Sequence, residues 1–470
     1  MASPVLSVEK HTITLSTEAL DVTALTFISD SPPDVQMTKG AGNNMPSMVQ
    51  SEQFYVEGHT THDGQYKITS ITTDQEDYIV EALTGSSDAA TAEDVDIRLG
   101  VKSGQADLTN EAIDITNCIP FVSTRVVTLG KEADSFSAYA VRADFVDDTI
   151  DKVRVRTSNR DLDLREIVCE VTVVEFDPAE VNVYQGEDTW GDSVNIMTLN
   201  DPYGGAVDVD LAKSFLYFNY VTNIGSDIWR FHTIRGVMTD LDTLTFDATE
   251  NQGSGTSITI VNWYVAEAIN TAWAVDQVAI QLADAIGTNE DTSFSAVTEA
   301  KTFILGSYKG SDGSTNTDGN EQNTINIDLT DSTTVTASRV DGAAGNGIID
   351  WAGFVVELAG DENVYRGDLT TTQASPDTGT SRTTTAVVVA DSMVHTAGMT
   401  GTVGGSGDTD DNSDDPPGVF YAWTFASSTE IDCEHYIGMS TFEAATVSWE
   451  VIEWDVGGAP PVTRRVMVIS

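Results

Sequence analysis

Apolar and polar residues alternate along most of this chain, and the alternation comes back at long, regular intervals. "EIVCEVTVVEF" (166–176), "ITIVNWYVAEA" (258–268), "DWAGFVVEL" (350–358) and "TVSWEVIEW" (446–454) each set large apolar residues at every second position and close on a glutamate. The glutamates are Glu175, Glu267, Glu357 and Glu453, spaced 267 − 175 = 92, 357 − 267 = 90 and 453 − 357 = 96 residues apart. Two residues before each stands a valine: Val173, Val265, Val355 and Val451. Four before stand Val171, Trp263, Gly353 and Trp449. A period of two with one apolar face predicts a core strand.

Other runs keep step with these. "CIPFVST" (118–124), "AKSFLYF" (212–218), "AKTFILG" (300–306) and "DSMVHTA" (391–397) precede the glutamates. Between them come pairs of short runs: "SAYAVRADF" with "KVRVRTS", "WRFHTIRGV" with "TLTFDAT", "TINIDL" with "TVTASR", and "VFYAWTF" with "IDCEHYI". Each pair is joined by polar or glycine-bearing residues, as hairpins are. After the glutamate, "EVNVYQG" (180–186) and "ENVYRG" (362–367) match closely. A unit therefore holds about six strands in roughly 90 residues, which predicts an antiparallel β-sandwich large enough to bury its own core. One stretch, "TAWAVDQVAIQLADAI" (271–286), also admits helical spacing; its counterparts in the neighbouring repeats favour a strand.

The first hundred residues follow a different pattern. "FYVEGHTTHDGQYKITSITTDQEDYIVEAL" (54–83) carries an Asp-Gly turn signal between alternating runs. The expected fold is all-β: a small N-terminal β module (1–98) followed by four tandem antiparallel β-sandwich domains at 99–190, 191–283, 284–370 and 371–470.

Charge narrows the function classes. The 470 residues include 23 Lys plus Arg against 74 Asp plus Glu, a net charge of −51. Such a field repels phosphate backbones and anionic headgroups, so neither nucleic acid nor membrane insertion is expected. The three cysteines, Cys118, Cys169 and Cys433, have spacings that suggest neither a metal knuckle nor a disulfide framework. Cys169 falls on the apolar parity of its strand and reads as a buried thiol. "MASPVLSVEKHTITLS" lacks a basic segment followed by an apolar one, so synthesis in a cytoplasm is expected.

These residues resemble a known group of proteins. "VEGHTTHDGQYKI" is similar to a small β-domain of tailed-phage virion proteins, with His62 where asparagine is usual. The repeats resemble tandem β-sandwich units of phage tail and fibre proteins. The matching positions are Lys213-Ser214-Phe215, Lys301-Thr302-Phe303, Arg339, and the "WAGFVVE" and "WEVIE" runs ending at Glu357 and Glu453. Repeat one lacks the Lys-Ser-Phe and repeat two the arginine. The resemblance implies a virion structural protein made in the host cytoplasm and carried on the particle exterior. Its partners would be other virion proteins and copies of itself, as a trimer or higher.

Candidate chemistry is sparse. The repeated glutamates share the parity of the apolar face, and an inward carboxylate is costly unless paired. Arg156, Arg339 and His435 lie 19, 18 and 18 residues before Glu175, Glu357 and Glu453, and a structural pair at the rim is expected there; simple solvation at strand ends is the other reading. His59, His62 and Asp63 read as turn chemistry, since they lack the helical spacing of zinc sites. The oxygen-rich loops hold Asp408, Asp410, Asp411, Asp414 and Asp415 in repeat four, and Asp312 with Asp318 in repeat three. Calcium takes six to eight hard oxygens and is the only cofactor such loops suggest; a solvated acidic loop is the alternative. No nucleophile elbow, phosphate loop or acid–base constellation stands out. The expectation is a non-enzymatic tail fibre, tail-tip or surface spike whose repeats act as rigid beads that give reach. Its loops or exposed aromatics would present binding sites for host glycans. The alternatives are a capsid decoration or turret protein, an extracellular fibre subunit, and a surface-polysaccharide depolymerase.

Overall fold

The computed structural model describes residues 3–31, 34–38, 53–57, 64–71, 77–82, 90–109, 113–126, 140–146, 151–157, 167–190, 194–199, 207–222, 233–248, 259–282, 289–310, 325–339, 348–372, 380–403, 421–435 and 442–456. Among them the chain is all-β, and its helices are three-residue 3-10 turns. The stretch open to a helical reading is a strand, Trp273–Leu282, as its neighbours suggested.

Four sandwiches repeat one plan of two three-stranded antiparallel sheets. In the first, residues 5–15 of β1 (Val5–Ser31) pair with β10 (Ile167–Phe176), which pairs with β7 (Cys118–Val126). Its other sheet joins residues 103–107 of β6 (Ala90–Asp107) to β9 (Lys152–Thr157) and β8 (Val141–Val146). The second has β11 (Val181–Trp190), β16 (Thr259–Ala268) and β13 (Ser214–Thr222) over β12 (Val194–Thr198), β15 (Thr243–Ala248) and β14 (Ile234–Asp240). In the third, β17 (Trp273–Leu282), β22 (Ile349–Leu358) and β19 (Thr302–Gly310) face β18 (Asn289–Ser293), β21 (Thr334–Ser338) and β20 (Asn326–Asp331). The fourth sets β23 (Asn363–Thr372), β28 (Phe442–Glu453) and β25 (Ser392–Val403) over β24 (Thr380–Thr383), β27 (Glu430–His435) and β26 (Tyr421–Ser427).

Hydrogen bonding moves the expected boundaries. Cuts after 190, 283 and 370 leave the strand following each glutamate with the repeat before it. Yet β11 pairs with β16, β17 with β22 and β23 with β28, so each of those strands opens the next sandwich. A cyclic repeat of about 90 residues can be cut anywhere on sequence alone; only the pairing partner sets its frame.

The N-terminal module is an insertion. β1 and β6 leave the first sandwich together and stay paired from Ser16↔Ser103 to Phe27↔Ala90. Between them lie β2 (Asp34–Thr38), β3 (Gln53–Glu57), β4 (Gly64–Ile71) and β5 (Asp77–Ala82). Pairings run β1–β2–β5–β4–β3–β6 and back to β1, a closed six-stranded circuit with Tyr66 and Val80 buried. Closure leaves that sheet no open edge. The sequence places this module before the sandwiches; in the structure it sits within the first one.

The sandwiches are not a string. The second sheet of each packs on the first sheet of the next: β8 on β13 and β16, β14 on β19 and β22, and β20 on β25 and β28. Then β26 packs on β7 and β10, so the fourth sandwich closes onto the first. Val5 bridges Val456 in parallel at that closure, and Ser3 Oγ donates to the Asp455 carbonyl. The expected beads with reach are therefore a closed ring of four. The physical reason lies in the central strands. Both faces of Thr259–Ala268 and Ile349–Leu358 are almost wholly buried, so each first sheet needs a second cover beyond its own sandwich.

At the ring's axis five aromatic side chains form a circuit. Phe176 meets Trp273 at 5.8 Å, Trp273 meets Phe215 at 5.4 Å, and Phe215 meets Phe303 at 6.0 Å between ring centroids. Phe303 then meets Trp454, and Trp454 meets Phe176, both at 6.1 Å. All four sandwiches contribute, and all five side chains are buried. Edge-to-face and tilted pairs of this kind contribute about 0.5–1.5 kcal/mol each beyond their burial.

Candidate functional site

Two features recur around the ring: a polar clasp at each seam and a shared space on the axis.

The clasp begins with a 3-10 turn ahead of the third strand of each sandwich. Asp114, Asp210, Thr298 and Val388 are the N-cap residues of the four turns. The backbone N–H of each donates to the repeated glutamate: Asp114 to Glu175 at 3.0 Å, Asp210 to Glu267 at 2.8 Å, Thr298 to Glu357 and Val388 to Glu453 at 2.7 Å. The residue after the turn then closes back on the cap carbonyl. Cys118 Sγ reaches Asp114 O, Ser214 Oγ donates to Asp210 O, Thr302 Oγ1 to Thr298 O, and Ser392 Oγ to Val388 O. Register explains the geometry, since Cys118, Ser214, Thr302 and Ser392 stand directly opposite the four glutamates. The glutamates thus hold a turn whose cap N–H would otherwise lack an acceptor.

Each turn also receives the next sandwich. Gln185 Nε2 donates to Ile115 O at 3.0 Å, Arg366 Nη1 to Glu299 O at 3.0 Å, and Lys10 Nζ to Val389 O. Gln185, Arg366 and Lys10 hold matching positions on the first strand, opposite Tyr264, Glu450 and Thr172. At the second-to-third seam the donor is Trp273 Nε1, to Lys213 O at 2.8 Å. The seam joining the fourth sandwich to the first is built like the other three.

The expected rim pairs are replaced by this clasp. Arg156 binds Asp144 at 2.6 Å and lies 3.8 Å from Glu187. Arg339 is buried, and the Glu357 carboxylate accepts from the Thr298 N–H. His435 ends β27 opposite Tyr421, and its side chain lies outside the described residues. All three positions sit where the fifth strand of a sandwich turns into the sixth, whereas the glutamate is at the far end of that sixth strand, roughly 25–35 Å away. A sequence offset of 18 spans the length of a strand, not a cross-strand pair. Asp408, Asp410, Asp411, Asp414, Asp415, Asp312 and Asp318, with His59, His62 and Asp63, also lie outside the described residues. Cys118, Cys169 and Cys433 are buried free thiols, as parity suggested for Cys169.

Sequence reasoning missed the side chains that seal the inner edges of the ring. The edge-strand N–H of Ala143 donates to Asn219 Oδ1 of the next sandwich, that of Gly236 to Ser307 Oγ, and that of Trp423 to Ser123 Oγ. Ser123, Asn219 and Ser307 are each five residues beyond the start of their strand. Seams also differ in charge. Arg142 meets Glu187 across the first, Lys309 meets Asp247 across the second and Arg125 meets Glu434 across the fourth; at the third, Arg366 and Glu450 pair within the fourth sandwich, Arg366 donating to the Thr302 carbonyl and Glu450 accepting from the Ile304 N–H. Glu450 is 2% exposed. Burial alone would push its carboxyl up, but the bond and charge of His395, with Arg366 and the Ile304 N–H, hold it below the ordinary value.

Beside the aromatic circuit the axis opens into a cavity of about 400 Å³ lined by all four sandwiches. Among the described residues its ionisable lining beyond the tyrosines is Glu170 and His395. Burial raises the Glu170 carboxyl, while the Thr12 hydroxyl and Arg125 pull it back. Burial pushes the Tyr217 phenol up to about 12, so it stays protonated at neutral pH.

No protein-family model matches the chain, and no curated protein or solved structure matches it.

Proposed function

We propose that this chain is a non-enzymatic structural protein of a tailed-phage virion that works as a closed four-part ring bearing one projecting barrel. The resemblance of "VEGHTTHDGQYKI" and of the repeated glutamate strand to phage virion proteins suggests the particle. The observation that carries the structural role is the fourth seam: Lys10 docks on the 388–391 turn as Gln185 and Arg366 dock on theirs, so the first and fourth sandwiches are locked into one body. Polar groups at the repeated positions are consumed in holding turns and edges, which suits a load-bearing part. A compact ring fits a tail-tip, spike or capsid-decorating knob better than an elongated fibre, because its length is folded back on itself. Copies of the ring and neighbouring virion proteins are the partners this reading calls for.

Two measurements test it. Small-angle scattering should give a radius of gyration near the ~23 Å of a compact chain of this length, raised somewhat by the barrel; a rod-like profile would reject the ring. Negative-stain imaging of particles labelled at the C-terminus should put label on tail tips or capsid facets. Label confined to free filaments, or absent from particles, would reject the virion role.

A further inference from the structure

The geometry points to the axial cavity as a binding site for a small neutral saccharide, formed only when the ring is closed. Its volume of about 400 Å³ falls within the usual range for small-molecule sites. Among the aromatic residues on its wall, Phe218, Tyr308, Tyr421 and Trp423 come from three different sandwiches. Such faces suit the C–H sides of a sugar ring, as they suit other amphipathic ligands.

The hydroxyls on the wall are oriented by their own bonds. Ser307 Oγ accepts from the Gly236 N–H at 2.9 Å, Ser123 Oγ from the Trp423 N–H at 3.3 Å, and Thr396 Oγ1 from Trp423 Nε1–H at 2.8 Å. A hydroxyl that accepts in this way keeps its own proton to give. Among the described residues no acceptor takes those three protons. The cavity therefore offers fixed O–H donors beside aromatic faces, which calls for a ligand with several neutral oxygens. Glu170 on the wall and the −51 charge of the chain disfavour phosphorylated or carboxylated sugars.

The inference rests on the glycan-presenting part of the expected role and moves the site from the loops to the axis; it does not depend on where in a particle the ring sits. Saturation-transfer NMR on the full chain, with methyl glycosides of glucose, galactose and N-acetylglucosamine at millimolar concentration, tests it. At least one glycoside should receive magnetisation from the protein. Thr172→Phe, which fills the cavity from β10, should abolish the transfer, and Ser307→Ala with Thr396→Ala should weaken binding about tenfold. Unfolding midpoints check that each variant folds; if Thr172→Phe does not, the double alanine variant decides. Transfer that persists unchanged in the variants would place the sugar elsewhere and overturn this site while leaving glycan presentation standing. No transfer from any glycoside to the unaltered protein would overturn both. The particle-labelling result is independent of either outcome.

Discussion

Phe176 and Trp454 stand 278 residues apart in sequence (454 − 176 = 278), and their rings meet edge to face at 6.1 Å and 85°. One ends the first sandwich and the other the fourth, so this contact closes the ring. It is also one link of an aromatic circuit that passes through all four units, and neither residue can be lost without opening that circuit.

Replacing Phe176 or Trp454 by alanine should therefore cost about 3–5 kcal/mol, the range for deleting a large buried ring. Phe176→Leu, which keeps most of the volume, should cost under about 1.5 kcal/mol. Denaturant unfolding measures both. Equal effects of the two Phe176 changes would mean the circuit is loosely packed.

Glu267 accepts from the Asp210 N–H and lies 3.2 Å from Tyr184 Oη. Glu267→Ala should destabilise the protein by about 1.5–3 kcal/mol, the scale for bonds to a charged group. Glu267→Gln keeps an acceptor for the turn and should recover about half of that loss. The same pair of changes at Glu453, with Val388 N–H and Tyr365 as partners, should behave alike. A Glu267→Ala variant as stable as the parent protein would remove the clasp from the list of stabilising features.

Gly186 and Gly367 occupy the recurring position after the Tyr-x step because a tryptophan lies on each. A Cβ at Gly186 would sit 2.6 Å from Trp263 Cζ2, and one at Gly367 would sit 2.8 Å from Trp449 Cζ2. Alanine at either should cost about 1–3 kcal/mol through forced repacking. Both tryptophans report the change by fluorescence. An unshifted emission and unfolding midpoint would show that the indole yields freely.

Ser448 Oγ lies 2.8 Å from Asp328 across the third seam and 2.6 Å from Asp368 on the neighbouring strand of its own sheet. A hydroxyl has one proton to give, so both contacts are hydrogen bonds only while one carboxyl keeps its own proton. Burial first, then the charges of Asp368 and Glu450, raise Asp328 above its ordinary 3.8, with the Ser448 and Asn326 bonds pulling the other way. Arg366, which lines the same recess, is engaged by Glu450. The folded protein then binds a proton that the unfolded chain releases, so stability from this site is full below 3.8 and falls as pH rises through the raised value. Asp328→Asn removes the dependence and should gain on the parent protein between pH 4 and neutral, as read from urea midpoints. A stability difference that does not change over that interval would dismiss the shared proton.

Much of the fold could be read in the residues themselves. The valine two residues before each of Glu175, Glu267, Glu357 and Glu453 marks the sixth strand of each sandwich, and all four are strands. The glutamate's partner was hidden because it is a backbone N–H some 60 residues upstream, and every residue type has one. A cation at a suitable offset was the visible candidate, and the visible candidate lay at the wrong end of the strand. One signal of the ring was present. "IVNWYVA" (260–266) is nearly continuous in apolar residues where a half-exposed strand alternates, and continuous runs belong to sheets covered on both faces.

Alternation and spacing, then, are local properties, and they were enough to dictate β-structure, the number of sandwiches and the residues that fill their interiors. Which strand opens each sandwich, the insertion of the barrel between the first and second strands, and the closing of the ring all depend on pairings between residues far apart. Those were decided in three dimensions, where four sheets with two apolar faces could be covered only by one another, and where Phe176 and Trp454 could meet.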